Sequence, residues 1–256
     1  MAGDLHDQHA LVTGAGQGIG EAIARQLLAR GAKVTVLGRR AEPLRRLVDA
    51  FPGQCRMELA DVASESEVKT AFDQARQAQG AINILVNNAG QAQSAPFLKM
   101  DAAQWQNMLA VNLTGTMLCM QQVLPAMARA GYGRIVNVAS TAGLAGYAYV
   151  AAYCAAKHGV VGLTRSLALE FARKGVTINA VCPGYTETEI VRESIARVVE
   201  KTGRTPEQAM AEFVKGNPQG RLVQPQEVAD AVLWLCGPGA GAVTGQAIAV
   251  AGGEVM

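Results

Sequence analysis

The sequence predicts a single α/β domain built on a doubly wound parallel sheet. Three observations predict it. Short apolar runs alternate with longer segments of helical period along the whole chain. The runs are nearly continuous and rich in β-branched residues, as strands buried on both faces require. Glycines stand just past several helical segments, at Gly31, Gly80, Gly131 and Gly175, where a left-handed residue closes a helix. With 256 residues, half of them apolar, the chain can bury one sizeable core, so residues 1–256 are read as one domain.

The elements follow in order. A strand is expected at 9–14 (HALVTG) and a helix from about 18. Strands at 33–38 (KVTVLG), 55–60 (CRMELA) and 82–88 (INILVNN) are followed by helices from about 41, 64 and 101. A fifth strand at 133–140 (GRIVNVAS) leads to a helix from about 150, and a sixth covers 176–184 (VTINAVCPG). A helix from about 225 precedes the last strand, 247–253 (AIAVAGG). Such repeats build right-handed βαβ units. The stretch 185–224 is polar and irregular, with one weak helix (ESIARVVEKTG). A segment of that kind inside a compact domain is read as a substrate lid, here at about 186–215.

Charge excludes some function classes. Lys and Arg number 23 against 21 Asp and Glu, a net of +2, which gives no reason to expect nucleic acid or a membrane surface as partner. No apolar run reaches the roughly 18 residues of a bilayer span. The acidic start (MAGDLHDQ) does not read as a signal peptide. Five scattered cysteines, with no CxxC pair, are read as reduced thiols of a cytoplasmic protein. His6, His9 and His158 show no metal spacing, and no metal is expected.

The stretch LVTGAGQGIGEAIARQLL joins the first strand to the first helix. Gly14, Gly18 and Gly20 lie where the backbone must turn and let a ligand come close. The helix that opens there points free N–H groups into the turn, which favours a pyrophosphate. Strand, loop and helix in this order predict a dinucleotide site.

Tyr153 and Lys157 stand four apart in the helix YVAAYCAAKHGVVGLTRSLALEF, so they share a face with Cβ atoms about 6 Å apart. An ammonium there would stabilise a phenolate and lower the tyrosine pKa from about 10 toward a value useful for proton transfer.

The glycine spacing is TGxxxGxG (Thr13, Gly14, Gly18, Gly20). With NNAG (87–90), VNLTG (111–115), VAS (138–140), YCAAK (153–157) and VCPGYTET (181–188), the chain resembles a classical short-chain dehydrogenase/reductase over essentially its whole length. The resemblance implies a single-domain Rossmann fold of seven parallel strands flanked by helices, and a homotetramer. It implies a tetrad of Asn112, Ser140, Tyr153 and Lys157. Tyr153 is the acid/base, Ser140 bonds the substrate oxygen, Lys157 holds the nicotinamide ribose, and Asn112 holds a water that links Lys157 to solvent. It also implies cofactor contacts from Thr13, Gly14, Gln17, Gly18, Ile19 and Gly20 at the pyrophosphate and from Asp61 and Val62 at the adenine. Asn88, Ala89 and Gly90 fall beneath the adenine ribose, and Pro183, Gly184 and Thr188 beside the nicotinamide amide.

The second strand ends VTVLGRR. An acidic residue there would bind both ribose hydroxyls of NAD. Gly38 stands in its place and Arg39 and Arg40 follow, so NADP(H) is expected, with Arg39 on the 2′-phosphate.

The substrate is less defined. The segment 220–253 resembles that of 3-oxoacyl thioester reductases, including ketoreductases of aromatic polyketide pathways. The first expectation is therefore reduction of a 3-oxoacyl thioester on coenzyme A or a carrier protein. Alternatives are a secondary alcohol dehydrogenase acting on a free or cyclic substrate, and a non-catalytic NADP(H) sensor. Tyr147 and Tyr149 would line the pocket or pack in a subunit interface. Arg129, Arg134, Arg173 and Lys174 would offer a basic surface to an acidic carrier, or stand solvated at helix ends.

Overall fold

All seven expected strands pair in one parallel sheet. The computed structural model describes residues 5–256, apart from the side chains of residues 190 and 201. The first four residues of the expected domain lie outside the described residues. The strands are β1 (His9–Thr13), β2 (Lys33–Gly38), β3 (Cys55–Leu59), β4 (Ile84–Asn87), β5 (Gly133–Val138), β6 (Val176–Pro183) and β7 (Ala247–Val250). Their order is β3-β2-β1-β4-β5-β6-β7. The chain runs outward from β1 to β3, then returns to the other side of β1 with β4. That reversal opens a crevice at the carboxyl ends of β1 and β4, where ligands of such sheets sit.

Helices cover both faces. On one face lie α1 (Gly18–Ala29), α2 (Ala41–Ala50) and α9 (Pro225–Cys236). On the other lie α3 (Glu65–Gln79), α5 (Gly115–Ala130) and α6 (Ala151–Phe171). Strand alternation feeds both cores: Ala10 and Val12 of β1 pack toward α1 and α9, and Leu11 packs toward α3 and α5. Phe72 of α3 is fully buried, which contributes roughly 1.5–3 kcal/mol by itself. The helices start where polar caps fall: Ser64 accepts from the Glu67 amide and Asp101 from the Gln104 amide. The four glycines read as helix stops all have positive φ, from +67° to +88°. All five cysteines are free.

Two expectations need correction. The helix expected from about 101 is two helices, α4 (Ala102–Leu109) and α5, joined by a π-helical turn over Ala110–Thr114. The segment 185–224 holds two helices rather than one weak one, α7 (Glu189–Thr202) and α8 (Pro206–Val214). The second is started by Thr205 and Gln208, which cap each other's amides, with Pro206 at its first position.

Candidate active site

The glycine loop is built as the spacing predicts. Gly14 and Gly18 take φ of +65° and +55°, values that a side chain disfavours. A Cβ on Gly14 would lie 2.8 Å from the Ala89 Cα, and one on Gly20 would run into the Gly14 carbonyl. Gln17 gives α1 no side-chain cap, so the helix presents free amides to the crevice. Thr13 and Asn88 lock the two switch-point turns together. The Thr13 Oγ1 accepts from the amides of Asn88 and Ala89, both at 3.0 Å, and the Asn88 amide group donates to the carbonyls of Thr13 and Gly14 at 3.1 Å.

One cavity of about 720 Å³ runs from this loop across the carboxyl end of the sheet. Of the site residues expected from the sequence, it is lined by all except Thr13 and Gly20, which stand behind its wall and brace the loop. At one end lie Gly38, Arg39, Arg40 and Asp61. The Arg39 guanidinium is 68% exposed and 3.6 Å from the Asp61 carboxylate, and Arg40 donates to the Gln17 Oε1. No acidic side chain occupies the end of β2.

At the other end stands the tetrad. Ser140 follows β5, and its Oγ accepts from the Ala142 amide at 3.1 Å and stands close enough to the Tyr153 hydroxyl to favour its ionised form. Tyr153 is the third residue of α6, and Lys157 follows one turn later, 4% exposed. The Lys157 Nζ lies 5.6 Å from the Tyr153 ring centre and donates to the Val138 carbonyl at 2.8 Å. Asn112 occupies the π-helical turn. Its Nδ2 donates to the carbonyls of Gln91 and Met108 at 2.9 and 3.0 Å, and its Oδ1 accepts from the Gln91 amide at 3.2 Å. Asn112 and Lys157 flank Gly90: a Cβ there would lie 2.8 Å from the Asn112 Oδ1 and 3.6 Å from the Lys157 Nζ.

The expected lowering of the tyrosine pKa is overturned for the chain by itself. Burial pushes Tyr153 up to about 12, against a smaller downward pull from Ser140, and burial drives Lys157 down to about 8. Burial disfavours the charged form of each, the phenolate of Tyr153 and the ammonium of Lys157.

The substrate end is apolar and aromatic. Tyr147, Val150, Tyr185, Val191 and Phe213 line it, with Thr141 and Ser194 between them. Tyr185 and Phe213 meet edge to face at 5.1 Å. Tyr149 does not join them. Its φ of +67° turns it outward, and it is 66% exposed. The basic quartet is also displaced. Arg134 lies at the start of β5, and Arg129, Arg173 and Lys174 lie at the ends of the helices before β5 and β6, so all four sit at the edge of the sheet opposite the cavity. Arg134 is buried against the Tyr132 ring and Lys174 stacks on Phe171. Sequence reasoning missed Thr141, Tyr185 and Phe213. The aromatic pair had a signal in its position next to PG (183–184) and within the expected lid. Among the described residues no cluster suits a metal ion, and no helix is long and apolar enough to cross a membrane.

Comparison with known proteins agrees with this geometry. A family model described as short chain dehydrogenase matches residues 8–198. A Streptomyces coelicolor protein named provisionally as a ketoacyl reductase is 42% identical over 257 residues, 95% of each chain. A cyclohexanol dehydrogenase of Acinetobacter is 38% identical over 258 residues, covering 98% of this chain and 96% of that one. A single-residue variant of an actinorhodin polyketide ketoreductase, solved with NADPH, superposes with a TM-score of 0.93 at 40% identity over 98% of both chains. The chain belongs to the short chain dehydrogenase family and is an oxidoreductase of that family.

Proposed function

We propose that the chain is an NADP(H)-dependent ketoreductase that converts a 3-oxoacyl thioester, on coenzyme A or a carrier protein, into its 3-hydroxyacyl form. The observation that carries the reading is the Ser140–Tyr153 hydroxyl pair beside Lys157, in a cavity continuous with the Arg39 and Arg40 guanidiniums. The residues fit a dinucleotide. A Cβ at Gly14 or Gly20 would break the close packing of the loop against Ala89 and Asn88 that shapes the cradle, and the free amides of α1 face it. Gly14, Gln17, Gly18 and Ile19 would hold the pyrophosphate. Asp61 and Val62 would flank the adenine, Asn88, Ala89 and Gly90 its ribose, and Pro183, Gly184 and Thr188 the carboxamide. Arg39, with Arg40 beside it, favours a 2′-phosphate where a carboxylate would repel one.

The cofactor supplies a hydride to the carbonyl carbon. Charge then grows on the carbonyl oxygen, and the chain's own groups meet it there. Ser140 Oγ–H donates to that oxygen and Tyr153 gives it a proton. Lys157, which donates to the Val138 carbonyl, would bond the nicotinamide ribose and stabilise the phenolate left behind. Asn112, flanking Gly90 with Lys157, sits where it could bridge that ammonium toward solvent. Oxidation of the alcohol runs the same steps in reverse.

One observation favours a second reading, a dehydrogenase of free secondary alcohols or cyclic ketones. The substrate end is closed by aromatic rings, and the basic quartet that would attract a carrier faces away. NADPH or NADH oxidation with acetoacetyl-CoA, a carrier-bound 3-oxoacyl group and cyclohexanone decides between them. Turnover of thioesters with NADPH at the highest kcat/KM supports the first reading, and turnover of cyclohexanone alone replaces it with the second. No turnover of any carbonyl overturns both.

A further inference from the structure

We propose that Glu254 sets the substrate specificity of this site through Tyr147, so that uncharged ketones and esters are accepted and ketones bearing a carboxylate are rejected. The inference rests on the carbonyl-reductase reading above.

Tyr147 stands seven residues after Ser140, between β5 and α6, and its ring forms part of the cavity wall. Its hydroxyl donates to the Glu254 Oε1 at 2.6 Å across 107 residues of sequence. Tyr147 thus links the cavity wall, which Thr141 next to Ser140 also lines, to the Glu254 carboxylate. A short bond to a carboxylate is among the stronger neutral-to-charged contacts and holds the ring in one orientation.

The carboxylate is delivered there by built geometry. After β7 the chain turns through Gly252 and Gly253, with φ of +61° and +92°. A Cβ on Gly252 would run into the Asn217 side chain, and one on Gly253 would lie 3.2 Å from Pro218. The turn places the Glu254 Oε2 2.7 Å from where a Cβ on Gly184 would stand, directly behind the cavity wall. Among the described residues no ion pair neutralises Glu254. Glu254 is partly exposed, so solvent screens its charge in part, but with only the backbone of Gly184 between it and the cavity the charge still reaches whatever occupies the substrate end. A ketone or a thioester carries no opposing charge, whereas a free oxo acid does. The phenol itself stays a donor, because burial and the neighbouring carboxylate push Tyr147 up to about 12.

The test compares ethyl acetoacetate with acetoacetate, by equilibrium binding calorimetry and by kcat/KM, in the wild type, Glu254→Gln, Glu254→Asp and Tyr147→Phe. The wild type should prefer the ester by about tenfold or more in both readouts. Glu254→Gln keeps an acceptor for Tyr147 but loses the charge, and should cut that preference at least about fivefold with little change in Tm. Glu254→Asp should retain the preference. Tyr147→Phe should raise the KM for the ester with a smaller effect on kcat. An unchanged ester-to-acid ratio in Glu254→Gln overturns the proposal, as does failure of the wild type to bind either ketone. Binding with the expected ratios but without reduction leaves this proposal standing and removes the reductase reading instead.

Discussion

The Lys157 ammonium donates to the Val138 carbonyl at 2.8 Å and lies 5.6 Å from the centre of the Tyr153 ring, so the lysine is anchored to β5 rather than to the phenol. It can therefore act on Tyr153 only through space, and burial outweighs it. With Tyr153 raised to about 12, the phenol is protonated throughout the physiological range. Reduction needs the phenol and oxidation needs the phenolate. Ketone reduction should thus vary little between about pH 6 and 8, and alcohol oxidation should climb with pH across that range as the phenolate fraction grows. Tyr153→Phe should lower both directions by roughly 10²–10⁴-fold with the dissociation constant for NADP unchanged. Steady-state rates in both directions check this; a pH-independent oxidation rate, or substantial activity in the variant, removes Tyr153 as the acid/base.

Arg39 governs the cofactor prediction. It is largely exposed and among the described residues pairs only with Asp61, at 3.6 Å, so its guanidinium can turn toward a phosphate at little cost. Arg39→Asp would set two carboxylates side by side at the place where a 2′-phosphate would sit. The ratio of kcat/KM for NADPH over NADH should fall by at least about tenfold. Arg40→Ala should have a smaller effect, since Arg40 is already committed to Gln17. An unchanged ratio in Arg39→Asp would show that another group reads the phosphate.

Much of this architecture was legible before any coordinates. The strands declared themselves because continuous β-branched runs such as VTINAV have no other stable place than the middle of a sheet, and β6 is buried at every position. Helical spacing brought Tyr153 and Lys157 to one face. Spacing carries no information about depth, however, and depth reversed the expected pKa shift. The π-helical turn at Ala110–Thr114 was hidden because AVNLT continues the apolar helical pattern on both sides of it. The second helix of the segment 185–224 did carry a signal, the TPEQ start at 205–208, which polar composition obscured. Reading the basic quartet as a docking surface overlooked strand direction: residues before β5 and β6 lie at the opposite edge from Ser140. The Tyr147–Glu254 bond joins positions 107 apart, and no local pattern links them.

His9 gives a stability prediction far from the cavity. It is buried in β1, with Nδ1 on the Gly80 carbonyl and Nε2 on the Thr35 hydroxyl, both at 2.9 Å. Burial lowers its pKa, the Gly80 bond opposes this, and the Lys33 charge adds to the lowering. The folded chain therefore takes up this proton at lower pH than the unfolded chain, whose histidine titrates near 6.5. Where the unfolded state binds more protons, stability rises with pH. The His9 contribution is fully present above about pH 6.5 and is lost progressively as pH falls toward the folded-state value. Urea unfolding should give a lower free energy at about pH 5.5 than at 7.5. A His9→Gln variant should show a shallower slope over that interval, and an identical slope would assign the acid sensitivity to other groups.

We propose that the segment 186–215 closes over bound ligand. Val191 and Ser194 of α7 and Phe213 of α8 line the cavity, yet among the described residues only Ile195 and Ala209 of these two helices are buried hydrophobic side chains. Few buried apolar groups mean a low free energy of local opening. The Phe213–Tyr185 edge-to-face contact fastens the segment to the wall, whereas the exposed Arg192–Glu187 pair, 3.0 Å apart, lies within the segment itself. A ligand between Phe213 and the tetrad would add apolar contact on the inner face and raise the cost of opening. Trypsin, acting at exposed Arg197 and Arg204, should cut the chain at least about threefold more slowly with NADP and a ketone present, because cleavage tracks the open population. Phe213→Ala should speed cleavage of the free chain and reduce the protection. Equal cleavage rates with and without ligands would mean that these helices are a fixed wall, with access to Tyr153 governed elsewhere.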